Sequence, residues 1–253
     1  MFDQFLTYRT ALPNETVWTH FGAVHLGYLI VFALATVALV LIYRRATDEL
    51  RGRIRLAYAC IVVGLEIVKQ LLCLFTGVYE PGLLPFHLCG ITIILIAIHT
   101  LRPNRWTAEL LYSLSLPGAI AALLFADWNV YPLFNFFCQQ SFFIHFFEFS
   151  YPILLIASGE LRPRFTRLWR SVVFLLVIVP PLYFFNHAFT TNFFFINEAA
   201  ADSPLSFLQS ALGNPGYLFG FVALLFGVWL VLYLPWLIKT LHDKRRSRLP
   251  QRA

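Results

Sequence analysis

The chain has 253 residues, of which 59% are hydrophobic, 17% aromatic and only 13% charged, and its mean hydropathy is +0.70. A soluble domain carries about a quarter charged residues, so these proportions exclude a water-soluble globule, a disordered chain and a coiled coil, and predict an all-α polytopic membrane protein. The net charge of +6 falls between apolar runs and forms no basic face, which argues against nucleic acid as a partner and makes the basic excess a topology signal.

A spanning helix needs about 20 predominantly apolar residues. Seven runs qualify in chain order: 20–43, 56–75, 85–101, 110–125, 136–157, 168–185 and 217–238. The third and fourth are short, near the lower limit. The 19 residues ahead of the first run hold Asp3, Arg9 and Glu15 and no basic leader, so the N-terminus is predicted to be retained. No internal repeat is visible, and one transmembrane domain is the simplest assignment.

All Lys and Arg residues except Arg9 and Lys69 fall in alternate links: 44–55, 102–105, 162–170 and the tail 239–253. The positive-inside rule then predicts seven transmembrane helices with the N-terminus outside and the C-terminus cytoplasmic. The basic tail is predicted to lie against anionic lipid. Trp106, Trp128, Trp169 and Trp236 sit near run ends, as an interfacial aromatic belt requires. Cys60, Cys73, Cys89 and Cys138 show no paired spacing, and most of them read as small buried hydrophobes. The longest link on the non-basic side, 186–216, contains Phe193, Phe194 and Phe195 in succession. That segment is predicted either to fold back over the outer mouth of the bundle or to serve as an interfacial anchor.

Ionisable groups inside spans are costly, so they are the first place to look for function. In the second run Glu66, Lys69 and Gln70 share one helical face. Glu66 and Lys69 read as substrate-binding groups or, alternatively, as a self-neutralising pair that only packs the bundle. The third run opens Pro85-Phe86-His87-Leu88-Cys89. Proline suits a first helical turn, which places His87 at the outer mouth, as a catalytic candidate or a solvated interfacial residue. Cys89 lies on another face. In the fifth run Ser141, His145 and Glu148 fall on one stripe. There His145 reads as general acid or base with Glu148 orienting it, against a purely structural polar seam. At about 1.5 Å per residue, Glu66 and Lys69 lie roughly 15 and 10 Å from the outer end of their run. The candidates on all three runs therefore sit in the outer half or near the midplane.

The motif Leu84-Pro85-Phe86-His87-Leu88-Cys89, the upstream glutamate, the histidine of the fifth run, the run from Thr191 to Asn197 and the Gly213-Asn214-Pro215-Gly216-Tyr217 turn resemble the YwaF-type family of bacterial integral membrane proteins. The family pattern has leucine at Phe86 and tyrosines within the Asn192 to Ile196 run, so any role of those hydroxyls is absent here. The family is distantly similar to eukaryotic multispanning proteins of phospholipid acyl transfer and to lipid-ester hydrolases that use a threonine and a histidine. The resemblance implies lipid acyl chemistry with a histidine base in the cytoplasmic membrane of a bacterium. Zinc-dependent ceramidase-like hydrolases have a similar layout but need converging histidines. No two histidines here are four apart, so neither a metal nor a cofactor is predicted.

The leading reading is therefore a lipid acyl transferase or ester hydrolase with His145, Glu148 and His87 as catalytic groups and Glu66, Lys69 and Asn192 binding substrate, Asn192 capping the pocket. Its nucleophile is unassigned, with Cys89 and Ser141 as weak candidates. A transporter or small-molecule binding protein using the same cluster is the alternative, and a scaffold for partner membrane proteins a third.

Overall fold

A computed structural model describes residues 4–13 and 15–247. The helices are α1 (Ala23–Arg45), α2 (Asp48–Phe75), α3 (Leu88–Leu101), α4 (Arg105–Leu124), α5 (Phe136–Ser158), α6 (Trp169–Phe189), α7 (Pro204–Leu212) and α8 (Tyr217–Ser247). There is no strand among the described residues. Six of these helices, all but α3 and α7, are long and apolar enough to cross a membrane. The 14 residues of α3 span about 21 Å, short of the roughly 30 Å hydrocarbon core. The third expected span is thus trimmed at its start, because residues 81–87 form a 3₁₀ turn and an extended lead-in. The fourth is longer than expected, since polar Arg105, Thr107 and Glu109 form its first turns. Residues 248–253 of the predicted basic tail lie outside the described residues.

Local chemistry accounts for the helix ends. Thr47 caps α2 by accepting from the Leu50 N–H, with Asp48 and Glu49 in the first turn where the dipole favours them. Asn104 accepts from the N–H groups of Trp106 and Thr107 at the start of α4. Asn135 caps α5 through the Phe137 N–H, and its Nδ2 donates to the carbonyls of Gln4 and Thr7, tying the N-terminal segment over that end of the bundle.

Helix α4 widens to a π-turn at Leu111–Ser115. Pro117 has no N–H to offer the carbonyl four residues back, and that carbonyl, on Ser113, accepts from Trp229 Nε1 of α8 at 2.8 Å. The hydroxyls of Ser113 and Ser171 pair beside it and join α4 to α6. In α5, Pro152 likewise withholds the N–H that the Glu148 carbonyl would receive.

Helices α4 and α5 are central. α5 packs against α1, α2, α3 and α4, while α1, α6 and α8 turn apolar faces outward, exposing Leu34, Leu176, Phe184 and Val231 among others. Such a surface is stable only against lipid. Arg55 pairs with Glu160, and Arg170 donates to the Arg105 carbonyl. The basic links before α2, before α4 and before α6 therefore gather at one end, here called the basic end.

Candidate functional site

At the opposite end, α2, α3 and α5 meet. Glu66 Oε2 lies 2.8 Å from Lys69 Nζ, and Glu66 Oε1 accepts from Gln70 Nε2 at 2.6 Å. Gln70 Nε2 also donates to the Leu83 carbonyl at 2.6 Å, which anchors the lead-in to α3 on α2.

That lead-in determines where His87 sits. Its backbone is extended and it precedes the first helical residue, Leu88, so Pro85 is not part of the first turn as the sequence suggested. The reason is the close approach of Pro85 to Gly90. A Cβ at Gly90 would stand 2.4 Å from the Pro85 carbonyl oxygen, so only glycine lets the chain fold across the start of α3. The His87 ring is half-buried and lies edge-on to Phe193 and tilted by 46° against Phe195, with centroids 5.0 and 5.2 Å away. The segment around Phe193 packs back onto the helices. Phe193 is fully buried with Leu182 and Ile196, over Leu84 and Phe86.

His145 is oriented differently from the expectation. Its Nδ1–H donates to the Ser141 carbonyl at 2.7 Å, and because a carbonyl can only accept, the neutral ring keeps its lone pair on Nε2. The indole of Trp128 stacks on the imidazole at 4.9 Å and 8°. Trp128 is buried and serves this contact, so it is no member of an interfacial belt. Glu148 makes no hydrogen bond to His145. It is 1% exposed, and its Oε1 is buried with no partner among the described residues. It stands instead within electrostatic reach of Glu66 and of Cys89, a free half-buried thiol on the first turn of α3.

The predicted groups thus form two adjoining sets. Glu66, Glu148 and Cys89 lie within reach of one another's charge, and His87, His145 and Asp127 do likewise, with Lys69 common to both. Asn192 belongs to neither. Its Oδ1 accepts from the N–H groups of Asn197 and Glu198 and its Nδ2 donates to the Glu198 carbonyl, so it organises its own loop. It also lines a separate cleft of about 270 Å³. Among the described residues no three His, Cys, Asp or Glu side chains are placed to hold a metal ion.

Sequence reasoning missed Asp127 and the stacking role of Trp128, because both lie in a short link whose packing against α5 has no periodic signal. It also missed Glu109, fully buried in α4, where Oε1 accepts from Tyr233 at 2.6 Å. His25 and His99 are buried apart from the cluster. The first donates through Nε2 to the Leu123 carbonyl and accepts the Phe21 N–H on Nδ1, which satisfies both nitrogens.

A helical bundle with outward apolar faces, spanning helices and charged groups held between three of them defines a multi-pass integral membrane protein with a polar interior. The chain belongs to the TMEM164 family, whose model matches residues 20–233. The matched region contains every residue of both polar sets. No curated protein and no solved structure matches the chain.

Proposed function

We propose that the protein is a membrane-embedded lipid acyl transferase or ester hydrolase of the YwaF type, working from the outer half of a bacterial cytoplasmic membrane. In this reading α3 is the seventh crossing, over a locally thinned bilayer, the N-terminus is outside, and the basic end meets anionic lipid in the cytoplasm. The observation that carries the reading is the fixed tautomer of His145, whose Nε2 lone pair is a preset base.

The chemistry is that of acyl transfer. His145 Nε2 takes the proton of the attacking group as that group bonds to the ester carbonyl carbon. The oxyanion that develops is stabilised by the Lys69 ammonium. When the carbon–oxygen bond to the alcohol breaks, the proton passes from His145 to the departing oxygen. Glu148 Oε1, buried and unpartnered, accepts a hydroxyl of the substrate, and His87 closes the site from above. The attacking group is the hydroxyl of the acyl acceptor or a water, and neither Cys89, whose thiol stands with Glu66 and Glu148, nor Ser141 is assigned as nucleophile.

Phospholipid and lysophospholipid profiles of a His145→Ala strain against wild type test this. An altered acyl distribution is expected, and identical profiles with the variant present in the membrane reject the reading. One observation favours a second reading, proton-coupled transport: a buried carboxylate without a partner next to a second carboxylate is an arrangement that carries protons. Uptake driven by the proton gradient and lost in Glu66→Gln would select it.

A further inference from the structure

The arginines of the basic end are used in two different ways. Those that begin α2 are matched within the fold: Arg51 pairs with Asp48, Arg53 with Glu49 and Arg55 with Glu160. Arg105 at the start of α4, Arg164 and Arg167 in the link before α6, and Arg170 in its first turn have no ion-pair partner among the described residues. They are far apart in sequence, yet the fold brings them together. Arg170 Nη1 donates to the Arg105 carbonyl at 2.7 Å, and Arg105, Arg164 and Arg170 all stand within electrostatic reach of Arg167. The carboxylate that reaches them, Glu109, is buried and accepts from Tyr233.

Such a convergence opposes stability, because like charges repel. Membrane topology does not demand it: the positive-inside rule counts charges in each link and is indifferent to whether two links meet. The patch is also held in place. The Arg170 guanidinium lies over the rings of Trp106 and Trp169, 5.1 and 5.8 Å from their centroids, and the two indoles meet edge to face at 5.0 Å. Both indoles are about half exposed, as tryptophans at a membrane–water interface are, which puts the guanidiniums at the depth of lipid phosphates. Arginine grips phosphate through two parallel N–H···O bonds. A phosphodiester offers one charge and two free oxygens, whereas a phosphomonoester carries about −1.5 to −2 over three oxygens. The second is the better match for several guanidiniums without counter-charges around one point.

We propose that the start of α4 and the link before α6 form a binding site for an anionic phospholipid that ends in a phosphomonoester. Arg105, Arg164 and Arg167 hold its oxygens, and Arg170 braces the two segments from between the indoles. The site goes beyond a general attraction of the basic end to anionic lipid, because it assigns the contact to two particular segments and to one class of headgroup. It rests on the membrane placement proposed above and on no part of the acyl chemistry.

The test uses the full-length protein in nanodiscs of phosphatidylcholine with equal small fractions of phosphatidic acid and phosphatidylglycerol, with retained lipid counted by native mass spectrometry. Phosphatidic acid is expected to be retained about tenfold over phosphatidylglycerol, the scale of one charge-assisted pair. The triple variant Arg105→Gln/Arg164→Gln/Arg167→Gln brings the two lipids close to parity with the helical spectrum unchanged. Arg44→Gln/Arg45→Gln/Arg53→Gln removes the same charge from exposed positions elsewhere at the basic end and keeps the preference. Equal retention of the two lipids by the wild type overturns the proposal, as does an equal loss of preference in both variants, which would reduce the effect to total charge. Displacement of the retained lipid by dissolved glycerol 3-phosphate also overturns it, since the site would then take free phosphate. The count registers bound lipid and no turnover, so either this site or the acyl chemistry can fail without the other.

Discussion

Trp128 lies flat on His145, with ring planes 8° apart and centroids separated by 4.9 Å. The indole N–H is buried without a hydrogen-bond partner among the described residues, so the stack and the surrounding packing hold the ring where it is. Together with the Ser141 carbonyl, the indole leaves the imidazole one orientation. Trp128→Phe, which keeps an aromatic face, is expected to hold lipid turnover within about threefold of wild type. Trp128→Leu frees the ring and lowers kcat by about tenfold or more, with a smaller change in KM. Initial rates of acyl release from purified variants check this, and equal rates for Leu and Phe would reject the clamp.

The Glu66 and Lys69 pair gives a prediction about stability. Both side chains are largely buried, and Glu148 stands within electrostatic reach of Glu66, its Oε1 without a hydrogen-bond partner among the described residues. Lys69→Met leaves the carboxylates facing each other in a poorly solvated site and is expected to cost up to about 3 kcal/mol. The double variant Glu66→Gln/Lys69→Met recovers most of it, because no uncompensated charge remains. Thermal midpoints of the four proteins in one detergent form the cycle. Additive losses would show that the pair is not coupled.

The spans were legible because bilayer solubility imposes a crude, long signal: six of the seven runs correspond to helices that can cross. What escaped was decided by packing. The start of α3 moved from Pro85 to Leu88 because Gly90 admits the Pro85 backbone, a contact between residues five apart that no propensity announces. Helix α7 carried its own signal, a Ser203 cap followed by Pro204 at the first turn, hidden inside a segment read as a link. In the site, Glu66 with Lys69 was readable because helical spacing fixes it. The partner of His145 was not, because Glu148 at the same spacing turns toward α2 and α3 while a tryptophan from another link takes the histidine.

Asn186 holds the lid. Its Oδ1 accepts from Thr191 Oγ1 at 2.8 Å and from the Phe193 N–H at 2.9 Å, and its Nδ2 donates to the Phe193 carbonyl at 3.0 Å. The loop needs such bonds, because Thr190, Phe194 and Phe195 all have φ between 54° and 59°, a region that side chains with a Cβ rarely adopt. Asn186→Leu removes all three bonds and is expected to release the loop at a local cost of about 2–4 kcal/mol. Hydrogen exchange across 190–197 should accelerate while that of α5 is unchanged, and His87 should become open to diethylpyrocarbonate. Unchanged protection of the loop would mean that Phe193 burial alone suffices to close it.

At the basic end the buried Glu109 has one side-chain hydrogen bond and lies within electrostatic reach of Arg167 and Arg170. Tyr233 donates to Oε1 from α8, while Oε2 is buried with no hydrogen-bond partner among the described residues. The neighbouring π-turn binds Trp229 of the same helix, and Tyr112 of α4 donates to the Leu232 carbonyl and accepts from Trp236 Nε1, so α8 is fixed to α4 by four hydrogen bonds over two helical turns. Tyr233→Phe deprives a fully buried carboxylate of its donor and is expected to lower stability by about 1–3 kcal/mol. Adding Glu109→Gln should restore part of the loss, because an amide costs less to bury than a carboxylate. Trp229→Phe, which removes a donor from a backbone carbonyl rather than from a charge, should cost less than Tyr233→Phe. Thermal midpoints of the three variants order these costs, and a larger loss for Trp229→Phe would place the anchor of α8 at the π-turn instead of at Glu109.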